Sequence, residues 1–182
     1  DSPAPRLATA IADSGSFGDV CRGDIKDLPL TLSNSGGCNL AVSGISSSSS
    51  EFQAASAISF PVVIGAGDAL NVPVRLAPTT LGAKTASIII ASDDPAAPKI
   101  VPVTGNTPPG QVKVTGSTTF GDVCAGSLAE KTISVCNVGK CNLAVTSAAF
   151  DPACADFALI NNPFPATVSH DSCNDLVIRF TP

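Results

Sequence analysis

Tryptophan, tyrosine and methionine are absent from this 182-residue chain, histidine occurs once, and charged residues make up only 14% of it. Each shortage closes off a class of function. Sugar platforms usually rest on Trp or Tyr faces, so lacking both argues against a glycan-binding surface. The lone histidine, in Ser169-His170-Asp171, has no second base to relay protons, and no Gly-x-Ser-x-Gly elbow supplies a nucleophile, so no enzyme is expected and His170 reads as a turn residue. Lysine and arginine number 10 against 15 acidic residues, a net charge of −5, which is the wrong sign for a nucleic-acid partner. No apolar run approaches the roughly 18 residues needed to span a bilayer. There is no Asn-x-Ser/Thr acceptor and no Cys-x-x-Cys pair, so neither N-glycosylation nor zinc is expected; cofactors and metals are read as none. The chain begins at Asp1 without an initiator Met or signal-peptide core and reads as a processed product or an excerpt.

Glycine and proline are plentiful, at 15 each, and the apolar residues are mostly Ala, Val, Ile and Leu, a mixture that favours short strands joined by turns. The fold class is all-β. The chain is also a repeat: Phe17-Gly18-Asp19-Val20-Cys21 returns as Phe120-Gly121-Asp122-Val123-Cys124. Asn34, Gly36, Cys38, Asn39 and Leu40 return as Asn137, Gly139, Cys141, Asn142 and Leu143. Two units follow, residues 1–106 complete and 107–182 C-terminally incomplete, because the match ends with Pro78 on Pro182 and nothing answers to Thr79 through Gly105.

Period-two alternation marks the strands. Leu28, Leu30 and Leu32 share one face, as do Val72, Val74 and Leu76; Ile133 and Val135, then Leu176, Ile178 and Phe180, take the matched places. Ala86, Ile88 and Ile90, then Ile100 to Val103, form the two strands the second unit lacks, separated by the turn Ser92-Asp93-Asp94-Pro95. Calcium on Asp93 and Asp94 is the alternative to ordinary turn chemistry there. Asp1–Pro5 and Asn106-Thr107-Pro108-Pro109-Gly110 read as linkers, and Ser46–Ser50 as a solvated loop, with a spacer or sugar-bearing loop as the alternative. Phenylalanines recurring as Phe17/Phe120, Phe52/Phe157 and Phe60/Phe164 are core.

Seven cysteines point to an oxidising location: secretion, the periplasm or a cell surface. Cys21 with Cys38 and Cys124 with Cys141 occupy matched positions, which suggests one internal disulfide per unit, provided the loop before Cys38 folds back past the intervening strand. Cys136, Cys154 and Cys173 occur only in the second unit. Cys154 with Cys173 is the expected third bridge, leaving Cys136, on the face opposite the core, as a free or intermolecular thiol; the alternative pairs Cys136 with Cys154.

The series Phe-Gly-x-Val-Cys-x-Gly, Leu-Thr-Leu-Ser-Asn-Ser-Gly-Gly-Cys-Asn-Leu-Ala-Val, Val-Pro-Val-Arg-Leu-Ala-Pro, Ser-Asp-Asp-Pro and Val-Pro-Val-Thr-Gly resembles the choice-of-anchor D type of repeat. That repeat is a relative of the Hydin-like (ASH) and major-sperm-protein-like immunoglobulin-fold domains. The resemblance covers residues 7–105 and, truncated, 110–182. It implies tandem immunoglobulin-like β-sandwich modules of seven to eight strands, the second lacking its last two, serving scaffolding or binding. The cysteines depart from the cytoplasmic branch and point to the extracellular bacterial one.

Ile88, Ile90, Val101 and Val103 represent inward side chains each contributing about 1.5–3 kcal/mol when buried. A unit without them has an open interior. Three readings stand: the native protein continues past Pro182, the second unit rearranges into a smaller sheet, or another subunit donates strands. The expected function is a non-catalytic structural or adhesive module of an extracellular or cell-surface protein, with neighbouring modules or copies of itself as partners. A fibre subunit completed by donated strands is one alternative, and a glycan- or peptide-binding surface module another. Leu7, Thr9 and Ile11 alternate as a donated strand does, but their register favours the first strand of their own unit.

Overall fold

The structure, a computed structural model, describes residues 3–55 and 58–182; Asp1 and Ser2, the head of the expected lead-in, lie outside the described residues. The chain divides into a first unit ending at Thr107 and a second running Pro108–Pro182. Asn106 and Thr107, expected in the linker, belong instead to the last strand of the first unit, where they pair with Ala83 and Gly82, and Thr107 is buried.

The first unit contains β1 (Leu7–Ile11), β2 (Ser16–Asp19), β3 (Lys26–Asn34), β4 (Leu40–Ser47), β5 (Phe52–Ala54), β6 (Val62–Ile64), β7 (Ala69–Leu76), β8 (Gly82–Ser92) and β9 (Lys99–Thr107). They form a four-stranded sheet in the order β1-β3-β7-β5 and a five-stranded sheet in the order β2-β9-β8-β4-β6. Among the described residues of this unit, nine strands exceed the seven to eight implied by the resemblance because short β2, β5 and β6 extend the sheets. Alternation explains the packing: Leu30, Leu32, Val72 and Val74 from one sheet meet Leu40, Val42, Ile88 and Ile90 from the other in one core, all fully buried. β1 pairs antiparallel with β3, so Leu7–Ile11 is a strand of its own unit. The serine run is only half a loop: Ser46 and Ser47 pair with Ile89 and Ile88 in β4, and the Ser48 hydroxyl accepts the Ser87 N–H.

The second unit contains β10 (Val112–Thr115), β11 (Ala129–Asn137), β12 (Leu143–Val145), β13 (Phe157–Asn161), β14 (Ala166–Val168) and β15 (Cys173–Phe180). Its sheet β10-β11-β15-β13 repeats the order of the first unit's four-stranded sheet. The opposing sheet is reduced to β12-β14, which keeps the old pairing: Leu143 faces Val168 as Leu40 faces Ile64. The sheet is therefore curtailed, not rearranged. Phe120–Asp122, the counterpart of β2, forms no strand, because β2 pairs in parallel with β9 and the second unit has no such strand among the described residues. The cost shows in the core, which holds five buried side chains (Ile133, Val135, Phe164, Val168, Leu176) against seventeen in the first unit among the described residues.

Candidate functional site

In the first unit the hairpin of β8 and β9 closes the sandwich; among the described residues the second unit has no such hairpin, and a defined set of its side chains is less covered. Leu40, Val42, Phe52 and Leu76 are fully buried, whereas their counterparts Leu143, Val145, Phe157 and Phe180 are only half-buried. Leu7 is 6% exposed and its register counterpart Val112 is 56% exposed. The reason is local: the Leu7 N–H donates to Asp94 Oδ2 (2.6 Å), in the turn between β8 and β9, so that turn sits on the head of β1. Phe120, Phe157 and Phe180 cluster with ring centroids 4.8–5.7 Å apart and hold one end of the uncovered face. Among the described residues β12 has β14 on one side and no strand on the other, where β4 has β8. An unpaired edge beside a row of half-buried aliphatic and aromatic side chains is an acceptor for β-structure.

One buried asparagine braces the end of each unit where the chain enters. Asn34 Nδ2 donates to the carbonyls of Cys38 (2.7 Å) and Ile64 (3.0 Å), and its Oδ1 accepts the N–H groups of Gly36 (3.0 Å) and Arg6 (3.3 Å). Asn137 repeats every bond: to Cys141 O (2.8 Å) and Val168 O (3.0 Å), from Gly139 N–H (3.0 Å) and Gln111 N–H (3.0 Å). Gly36 and Gly139 are required there, since a β-carbon on either would collide with the backbone of the entering segment at Ala4 or Gln111. Ion pairs recur too, Arg75 with Asp27 (2.8 Å) and Arg179 with Glu130 (2.6 Å); half-exposed, they mark register more than they stabilise.

The cysteines depart from expectation. Cys38 and Cys124 are free and exposed, so neither Cys21–Cys38 nor Cys124–Cys141 forms; Cys21 and Cys141 are not among the free thiols. The strand between the matched positions is the obstacle. β3 and β11 are nine residues each, about 30 Å of extended chain, and no loop folds the two ends together. Cys136, expected to be the spare thiol, is bonded to Cys173, and Cys154 is free. Cys136 and Cys173 lie directly opposite each other in the β11–β15 register, as Ser33 and Ala69 do between β3 and β7. The repeat therefore carried a signal for this bridge, because matched residues on neighbouring strands face each other in both units.

Asp93 and Asp94 act as turn residues. Asp93 Oδ1 accepts the Ala41 N–H (2.9 Å), and Asp94 accepts the N–H groups of Ala96 (2.8 Å) and Leu7, bonds that hold its carboxyl below the usual carboxylate range. His170 Nδ1 donates to the Gly139 carbonyl (2.6 Å), tying one turn to another. Sequence reasoning missed Glu51. Its Oε1 accepts from the backbone of Thr79 (2.6 Å) and Thr80 (3.0 Å) and from both hydroxyls, and its Oε2 pairs with the buried Lys84 (3.1 Å). These bonds, the Thr79 N–H foremost, lower its pKa from 4.5 to about 2. Because the folded value lies below the unfolded one, Glu51 stabilises the first unit at neutral pH, and that contribution is lost as pH falls from 4.5 towards about 2. Glu51→Gln is expected to lower the unit's urea midpoint at pH 7 and to flatten its acid dependence across that window. An unchanged pH profile in urea titrations of the variant would contradict this account.

Neither a family description nor any curated protein matches this chain. Among solved structures, a protein of unknown function from Porphyromonas gingivalis W83 is similar at 16% identity and a TM-score of 0.45, over 96% of this chain and 83% of that one. The secreted serine protease VesC from Vibrio cholerae is similar at 13% identity and 0.43, over 98% of this chain and 46% of that one, so the chain spans less than half of the protease. The chaperone–tip adhesion subunit pre-assembly complex CsuC–CsuE, from the archaic chaperone–usher Csu pili of Acinetobacter baumannii, is similar at 13% and 0.36, over 92% and 86%. Likenesses of this order bear on neither activity nor partner. What the fold and the site define is an all-β chain in two units, with β12 unpaired on one side among the described residues.

Proposed function

We propose that this chain is a non-catalytic structural or adhesive module of an extracellular or cell-surface bacterial protein, built as two tandem immunoglobulin-like sandwiches of the choice-of-anchor D kind and assembling in series. The observation that carries the reading is the uncovered face of the second unit, whose counterpart in the first is sealed by β8 and β9. The occupant it calls for is a β-hairpin of that same chemistry, supplied from outside residues 108–182: aliphatic side chains at the places of Ile88, Ile90, Val101 and Val103, and an aspartate turn to catch the head of β10. The Cys136–Cys173 disulfide suits an oxidising compartment. The same acceptor face supports a second reading, a fibre subunit completed by donated strands, which light scattering over a concentration series separates from the first.

A peptide of residues 79–107, added to the full chain, tests the acceptor. Hydrogen exchange at 143–145 and 112–115 is expected to slow, and Ile90→Asp in the peptide is expected to abolish the effect. No protection at about 1 mM peptide would overturn the reading.

A further inference from the structure

The matched cysteines stand at opposite ends of each unit, and the ends are distinguishable by where the chain enters and leaves. In the first unit Cys38 lies at the entering end: its Sγ donates to the Pro3 carbonyl (3.2 Å), and the Gly37 N–H donates to Ala4 O (3.2 Å). Cys21 lies at the leaving end, since the Val20 N–H donates to the carbonyl of Asn106 (2.8 Å), one residue before the unit's last. The second unit repeats the plan. The stretch before Cys141 is tied to the entering segment by Val138 N–H to Gln111 O (2.8 Å), and Cys124 lies beyond the far end of β11. The turn presenting the leaving-end cysteine is also the same, with Asp24 N–H on Cys21 O and Ser127 N–H on Cys124 O, both at 3.0 Å.

A cysteine at each end, with a nine-residue strand between, is unsuited to an internal staple and suited to joining one module to the next. Cys38, at the entering end of the first unit, and Cys124, at the leaving end of the second, are free and exposed. We infer that copies of this chain are joined head to tail by a disulfide between Cys124 of one copy and Cys38 of the next. The inference rests on the serial reading above but not on the hairpin acceptor.

The oxidant is a low-molecular-weight disulfide such as glutathione disulfide. The Cys124 thiolate attacks one of its sulfurs, forming a mixed disulfide and releasing one reduced thiol; the Cys38 thiolate of the second copy then attacks the Cys124 sulfur and expels the other. Two protein thiols lose two electrons and two protons, and one disulfide becomes two thiols.

The test uses the full chain with Cys154→Ser, which removes the one free thiol that has no counterpart in the repeat. Incubated with glutathione disulfide, this protein is expected to give a ladder of multimers on a non-reducing gel, collapsing to monomer with reductant. Adding Cys38→Ser or Cys124→Ser is expected to leave each protein monomeric alone, while an equimolar mixture of the two forms a dimer whose linked peptides, by mass spectrometry, contain Cys124 and Cys38. A ladder surviving either added substitution, a homodimer of either variant, no ladder at all, or an internal Cys38–Cys124 bridge would each overturn the inference. Loss of peptide protection at β12 with the ladder intact would sink the hairpin acceptor and leave this inference standing.

Discussion

Replacing both Cys136 and Cys173 with serine is expected to unfold the second unit at temperatures where the first still stands. The bridge spans a separation of 37 residues, and removing it releases roughly 3–4 kcal/mol of unfolded-state entropy. Against the net stability of about 5 kcal/mol at the low end for a folded domain, that is most of what holds five buried side chains together. The first unit lacks this bridge, with Ser33 and Ala69 at the matched places, and its core holds seventeen buried side chains among the described residues. Calorimetry should show two transitions in the parent protein, with the lower one falling by roughly 15 °C or more in the variant and the upper one staying in place. A lower transition unmoved by the change would mean that the open sheet is sealed by some other means.

The second large effect concerns the buried asparagines. Asn34→Ala leaves two carbonyls and two N–H groups without the partner that satisfied them, at about 1–3 kcal/mol for each group that water does not reach. Asn34 is buried and Ile64 lies in the core, so the Ile64 carbonyl is the one expected to suffer most. A loss of roughly 3–5 kcal/mol follows, enough to lower the upper transition by about 15 °C. Asn34→Asp keeps the acceptor for Gly36 and Arg6 but turns a buried carboxylate oxygen on the Cys38 and Ile64 carbonyls, and is expected to be no more stable than Asn34→Ala at neutral pH. Equal stability of all three proteins would show that solvent replaces the side chain without penalty.

Inner faces were legible because a strand's alternation is a local property. Leu30, Leu32, Val72, Val74, Ile88 and Ile90 can be placed inside by parity alone, and they are buried. Pairing was less legible, because it depends on which strands become neighbours. Position in the repeat suggested Cys21 with Cys38, yet two residues at equal places in two copies need not be near each other in either. Neighbourhood decided for Cys136 and Cys173, which β11 and β15 set face to face. Asn34 and Asn137 were visible as recurring letters, but their brace joins carbonyls up to 31 residues away, and no short pattern encodes that. Glu51 and Lys84 meet only because β8 returns past the end of β4, a tertiary encounter with no local trace.

β2 depends on β9 in a way that concerns synthesis. Phe17 and Val20 are early in the unit and deeply placed, but their strand is ordered by residues that follow some ninety positions later. A polypeptide emerging from its N-terminus therefore cannot finish such a module until the final strand has appeared, and the stretch answering to β2 waits unpaired in the meantime.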